Sequence, residues 1–143
     1  MFLPATFCIL IITSLVTIIA FQKPWWKERL MFDPHRILAG KQYERMLTSG
    51  LIHADFPHLV WNMFSFYSFG SGIEMIYGPK TLLLVYVSAI LGGSVLSLLI
   101  HRQHEYRALG ASGGVCGVIF ASIFLLPGGS VPLFPLMIPE LVA

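Results

Sequence analysis

The sequence predicts an all-α membrane protein, a polytopic bundle of four transmembrane helices. Three observations carry that prediction. Hydrophobic residues make up 56% of the 143-residue chain and charged residues only 11%, with a mean hydropathy of +0.77, whereas soluble domains spend about a quarter of their residues on charge. Two runs, Phe2 to Phe21 and Thr81 to Ile100, carry no charged side chain at all. Each is about twenty residues, long enough at ~1.5 Å per residue to cross a hydrocarbon core of roughly 30 Å. Proline and glycine then cut the remaining apolar sequence into two further helix-sized pieces. A chain of this length is one domain. Its net charge of +2 is small and scattered, which argues against nucleic acid as a partner. Cys8 and Cys116 both lie in apolar runs, with neither a disulfide framework nor metal-ligand spacing.

The first helix is expected over Phe2 to Phe21. It has no basic stretch before it and no small-residue cleavage site after it, so it reads as a transmembrane segment and not as a signal peptide. From Gln22 to Pro57 the character changes. Lys23, Lys27, Arg29, Arg36, Lys41 and Arg45 mix with Trp25, Trp26 and Phe32, a composition that favours the membrane–water interface. Pro24, Pro34 and Gly40 divide this stretch, and one or two interfacial helical segments are expected in it. The second helix is expected over His58 to Tyr77, opened near Asp55 and Pro57 and stopped by Gly78-Pro79. Its His58, Asn62 and Ser65 fall at i, i+4 and i+7 and share a face, which in a bilayer turns toward the bundle interior. The third helix is expected over Thr81 to Ile100, with Gly92, Gly93, Ser94 and Ser97 as a close-packing surface. The fourth is expected over Ala111 to Leu126. At about 24 Å it falls short of a full crossing, so one of its ends lies below the membrane surface. The last segment, Val131 to Ala143, holds three prolines; it is a candidate start of another helix, too short to span.

The chemistry concentrates at Gly110-Ala111-Ser112-Gly113-Gly114. The first turn of a helix leaves backbone N–H groups without intrahelical acceptors, and the helix dipole favours negative charge there. A serine attacking a carbonyl creates such a charge, and aimed backbone donors stabilise it. Gly110, Gly113 and Gly114 allow a tight entrance and close approach of backbone. Gly113, Gly117 and Ala121 also form a small-residue stripe, so a purely packing role for Ser112 stands beside the chemical one. His58 and Asn62 add donors on one helix face, with interhelical polar contact as the structural alternative. His101 and His104 lack further ligands and read as ordinary loop histidines. Cys116, one turn below Ser112, reads as inert packing.

With these residues in view, the stretch from Tyr43 to Phe69 together with Gly110 to Ala121 resembles the rhomboid family of intramembrane serine proteases. The matching motifs are His-x-x-x-Asn at His58 and Asn62 and Gly-x-Ser-Gly at Gly110, Ser112 and Gly113. The resemblance runs from about Lys41 to Gly128. It implies a six-helix rhomboid-like fold of which four helices are present, a single membrane domain over residues 1–143 that is incomplete at its C-terminal end. It implies Ser112 as nucleophile, an oxyanion hole made by the Ser112 N–H, His58 and Asn62, and support from Gly110, Gly113 and His53, the last at a position that keeps water near the site. It also puts Arg45 at the arginine of a first-loop Trp-Arg motif, from which Tyr43-Glu44-Arg45 departs, and puts Glu74 and the loop Gly78 to Lys80 on the cytoplasmic side. The positive-inside count points the other way: six basic residues lie in the first loop, two in the third and only Lys80 in the second. Implied partners are transmembrane protein substrates and the lipid bilayer of a bacterial-type cell membrane. No metal, nucleotide or organic cofactor is implied.

The family's general base is a histidine on a later helix. The five histidines here are His35, His53, His58, His101 and His104, and none follows Ser112. A general base contributes about 10²–10⁴-fold, so the chain as written is expected to be inactive or nearly so. A fragment of an active enzyme is favoured over a short non-catalytic pseudoprotease that binds transmembrane helices, because the serine and its oxyanion donors are intact.

Overall fold

Every long helix in the structure starts on or beside a proline, whose fixed φ suits the first turn and whose missing N–H is not needed there. The computed structural model describes residues 3–103, 105–126, 130–133 and 136–139. Helix α1 (Pro4–Gln22) is followed by three short helices, α2 (Pro24–Leu30), α3 (Pro34–Leu38) and α4 (Arg45–Thr48), and a 3₁₀ turn at Ser49–Leu51. The long helices α5 (Phe56–Tyr77) and α6 (Pro79–His101) come next, then α7 (Ser112–Leu125). The first loop thus holds more helix than the one or two segments expected, and Pro24 and Pro34 begin helices there instead of merely breaking the chain.

The bundle is all-α. Helices α1 and α6 are long and apolar enough to cross a membrane. Helix α5 matches them in length, with 22 residues, but carries the polar face of His58, Asn62 and Ser65. Helix α7 has 14 residues and reaches about 21 Å at ~1.5 Å per residue, so its shortness is real. The tail departs from expectation. Ser130–Leu133 and Leu136–Pro139 pair as a short antiparallel ladder, β1 with β2, in place of a new helix. The physical reason is Pro132 and Pro139: proline removes a helix donor and pushes the residue before it toward extended backbone.

The core lies where α5, α6 and α7 meet. Phe66 and Tyr86 pack edge to face with centroids 4.9 Å apart, surrounded by Ile73, Leu82, Ala111, Val115 and Val118, all buried. Helix α7 fits so closely on α6 because of its glycines. A Cβ on Gly117 would sit 2.2 Å from the Ala89 Cβ, and one on Gly114 2.6 Å from the Tyr86 ring. Gly113, by contrast, meets nothing nearer than the Ala89 carbonyl oxygen at 4.0 Å.

Helix α1 is held to this core by polar contacts. Leu3 cannot cap it with a side chain; the buried carboxylate of Glu74, far along α5, does so instead. Glu74 accepts from Ala5 N at 2.8 Å, Thr6 N at 2.7 Å and Thr6 Oγ1 at 2.6 Å. A negative charge on the first-turn donors of a helix is favoured by both hydrogen bonding and the dipole. Thr6, Thr13 and Thr17 are all fully buried on α1. In the first loop, Arg45 is almost fully buried. It donates from Nη1 to the carbonyls of Glu28 and Met31 at 2.9 and 2.8 Å and from Nε to Gln42 Oε1 at 2.6 Å, stitching the end of α2 to the start of α4. Burial, with Arg36 nearby, lowers its pKa below the ordinary guanidinium value, against the pull of Asp33.

Candidate functional site

Ser112 is the first residue of α7 and is exposed. The first hydrogen bond of the helix runs from Val115 N to the Ala111 carbonyl at 2.9 Å. The N–H groups of Ser112, Gly113 and Gly114 therefore precede the intrahelical ladder. Ser112, Gly113 and Gly114 line a cleft of about 200 Å³ together with Ser49, Ile90, Ser94, Ser97 and Tyr106. The Ser94 hydroxyl is directed away from bulk lipid, donating to the Met46 carbonyl at 2.7 Å. Within a membrane protein, a polar hollow of this kind is tolerated where protein encloses it.

The chain leading into Ser112 is fastened to the first loop. Phe32 and Ala108 exchange backbone hydrogen bonds at 2.9 and 3.2 Å, and Gly110 N donates to the Ser49 carbonyl at 2.9 Å. Gly110 has φ +128°, a conformation that excludes side chains, and a Cβ there would lie 2.8 Å from His58 Cε1. Both facts require glycine at that position. The His58 ring thus covers the turn before the serine.

His53 is fully buried in the same place. Its Nε2 accepts from Ala111 N at 3.3 Å, its Nδ1 lies 3.2 Å from Thr17 Oγ1, and its ring meets His58 edge to face at 5.0 Å. Burial first, then the neighbouring His58, push its pKa down to about 4 against the pull of Asp55. Asp55 caps α5, accepting from His58 N at 2.8 Å. Asn62 is buried and donates from Nδ2 to the His58 carbonyl one turn back at 2.9 Å, leaving its second N–H and its oxygen for other work.

Of the residues singled out from sequence, His53, His58 and Gly110 are brought into direct contact through Ala111, and Ser112 follows immediately. Asn62 and His58 do not line the serine's cleft, whose walls come from α6 and the two loops. Cys116 is exposed and is therefore not core packing, contrary to expectation. It belongs with Ser112, Phe120 and Phe124 to an exposed stripe of α7 at four-residue spacing. Thr17 and Ser49 were not singled out, and Phe32 and Ser94 were read only as an interfacial aromatic and a packing residue; a polar residue recurring inside the apolar run of α1 was the one available sign for Thr17. Among the described residues no group of three or more His, Cys, Asp or Glu has the makings of a metal site.

Fold and site together define a polytopic helical membrane protein with a serine at the mouth of a short apolar helix. The rhomboid domain model matches residues 40–143, and the chain belongs to the rhomboid family. It is 35% identical over 126 residues to RHOMBOID-like protein 12, mitochondrial, of Arabidopsis thaliana, covering 75% of this chain and 36% of that one. Against Rhomboid protease GluP of Bacillus subtilis it is 30% identical over 89 residues, 62% of this chain and 17% of the relative. Against Rhomboid protein 1, mitochondrial, of Saccharomyces cerevisiae it is 29% identical over 98 residues, 66% and 28% respectively. The chain thus spans between 17% and 36% of the length of these three relatives. At family level it is of the rhomboid intramembrane-protease type and an integral membrane protein.

Proposed function

We propose that Ser112 is the nucleophile of an intramembrane serine endopeptidase that cuts transmembrane proteins. The observation that carries this reading is the position of Ser112, the first residue of α7 beside unpaired first-turn N–H groups, at a protein-walled cleft. The oxyanion of a tetrahedral intermediate is stabilised by the Ser112 N–H, with His58 and the free half of the Asn62 amide as further donors from the α5 side of the Gly110 turn, outside the cleft walled by α6. Gly110 and Gly113 keep the approach to that oxygen clear. A substrate helix unwinds locally to expose its carbonyl, because helical hydrogen bonds otherwise shield it.

Ser112 still requires a base. Its hydroxyl has no hydrogen-bond partner among the described residues, and no histidine follows it in the sequence. In this reading the base approaches along the exposed stripe of α7. A second reading, a non-catalytic module that binds membrane helices, is supported by the exposed Phe120 and Phe124 on α7. The membrane compartment is left to experiment, since the relatives named above are mitochondrial as well as bacterial.

A fluorophosphonate probe separates the two. Slow labelling of the protein in detergent that disappears in Ser112→Ala supports the protease. Absence of labelling even in a form extended to six helices, with a transmembrane peptide still co-purifying, supports the binding module.

A further inference from the structure

We infer that His53 is a positioning residue that sets the turn carrying the nucleophile, clamped between α1 and the backbone just before Ser112, and does not serve to hold water. The inference rests on the protease reading above and deepens it.

The donor and acceptor inventory fixes the arrangement. A backbone N–H only donates, so the Nε2 that receives Ala111 N is unprotonated. In a neutral ring the proton then sits on Nδ1 and is donated to Thr17 Oγ1. The Thr17 hydroxyl passes its own hydrogen to the Leu51 carbonyl at 3.1 Å. Each polar atom in the chain Leu51, Thr17, His53, Ala111 has one assigned role, and both ring nitrogens are occupied by protein. A water-holding role needs a free ring nitrogen, and none remains.

Ala111 is the residue on which α7 begins. Its N–H anchors the turn together with Gly110 N on Ser49, behind the Phe32–Ala108 pair. Losing the His53 acceptor frees the peptide that precedes Ser112 and lets the serine and its first-turn donors drift. Such displacements are costly where a reacting atom has to be held in line. The titratable groups facing His53 are His58 on α5, in ring contact, and Asp55 at its cap; α1 and α7 present it only with the Thr17 hydroxyl and backbone. Protonation places a second donor against Ala111 N–H and breaks the anchor.

Three measurements test this on the full chain in detergent micelles. Long-range ¹⁵N–¹H spectra are expected to find the His53 proton on Nδ1 at neutral pH; a proton on Nε2 overturns the proposal. The fluorophosphonate labelling rate of Ser112 is expected to fall about tenfold in His53→Ala, the weight of roughly one hydrogen bond. In His53→Gln, whose amide oxygen replaces the Nε2 acceptor, it is expected to stay within about threefold of the parent. The parent's rate falls further in acid than that of His53→Gln, because only the parent's acceptor protonates. Equal rates in a normally folded His53→Ala, or identical acid limbs, overturn the proposal. If Ser112 is not labelled in any form, the protease reading fails separately. The clamp is then judged by alkylation of Ser112→Cys in a Cys8→Ser, Cys116→Ser background and by exchange of the Ala111 amide. His53→Ala is expected to change both and His53→Gln neither; no change in either sinks the clamp.

Discussion

His53 is fully buried against the backbone of Ala111, one residue before the exposed Ser112, and pH is expected to separate their behaviour. The His53 pKa is drawn from its ordinary 6.5 down to about 4 by burial and by His58. Between those values the unfolded chain binds a proton that the folded one refuses. Its contribution is therefore fully present above about pH 6.5 and is lost as the pH falls toward 4, in total on the order of 3 kcal/mol. Thermal melts in detergent at pH 7.5, 5.5 and 4.0 check this: the parent should lose more stability across the series than His53→Gln. Thr17→Val removes the partner of Nδ1 and is expected to lower the melting temperature. Combined with His53→Ala it should add little, since both act on one clamp. At this scale the sequence was legible where a residue type is demanded by chemistry. A serine between glycines and a His-x-x-x-Asn pair announce themselves. The roles of Thr17 and Ser49 were not legible, because a threonine in an apolar helix and a serine in a loop acquire meaning only from partners tens of residues away.

Helices in this protein are joined by caps and glycines as well as by the apolar core, and each device has a measurable consequence. Glu74→Ala leaves Ala5 N, Thr6 N and Thr6 Oγ1 without their acceptor and is expected to destabilise by about 2–4 kcal/mol. A melting temperature unchanged from the parent would show that the start of α1 is satisfied by other means. Gly117→Ala drives a methyl group onto Ala89, where neither atom has a flexible side chain to yield, and should cost about 1–3 kcal/mol. Gly113→Ala, on the same expected stripe, has room and should be close to neutral for stability. The comparison distinguishes tight packing from a merely glycine-rich sequence. Helix limits were readable to within a few residues, because Pro4, Pro57 and Pro79 mark starts and Gly78 a stop. The first loop was harder: helices as short as α3 and α4 have no periodicity to read, and their order comes from local polar contacts, the Asp33 cap of α3 and the buried Arg45 of α4 with its carbonyl partners.

On the scale of the whole molecule, α5 carries the chain from the Ser112 side to the far side over about 33 Å at ~1.5 Å per residue, and α6 returns it. Cysteines at Lys41 and Arg102 in a background free of Cys8 and Cys116 should accordingly react with an impermeant maleimide from one side of a sealed vesicle, and one at Lys80 from the other. Reaction of all three from the same side would break the two-way path of α5 and α6. Which side is which sets the positive-inside count against the topology implied by family. The grip on α1 has a practical corollary for anyone choosing where to begin this polypeptide. The stretch that marks its ancestry starts near residue 40, yet two polar side chains inside that stretch, Glu74 and His53, find their mates at Ala5, Thr6 and Thr17. A version begun at the domain boundary would strand a carboxylate and an imidazole without their partners, so the leading helix belongs to the folded body as much as α5 does.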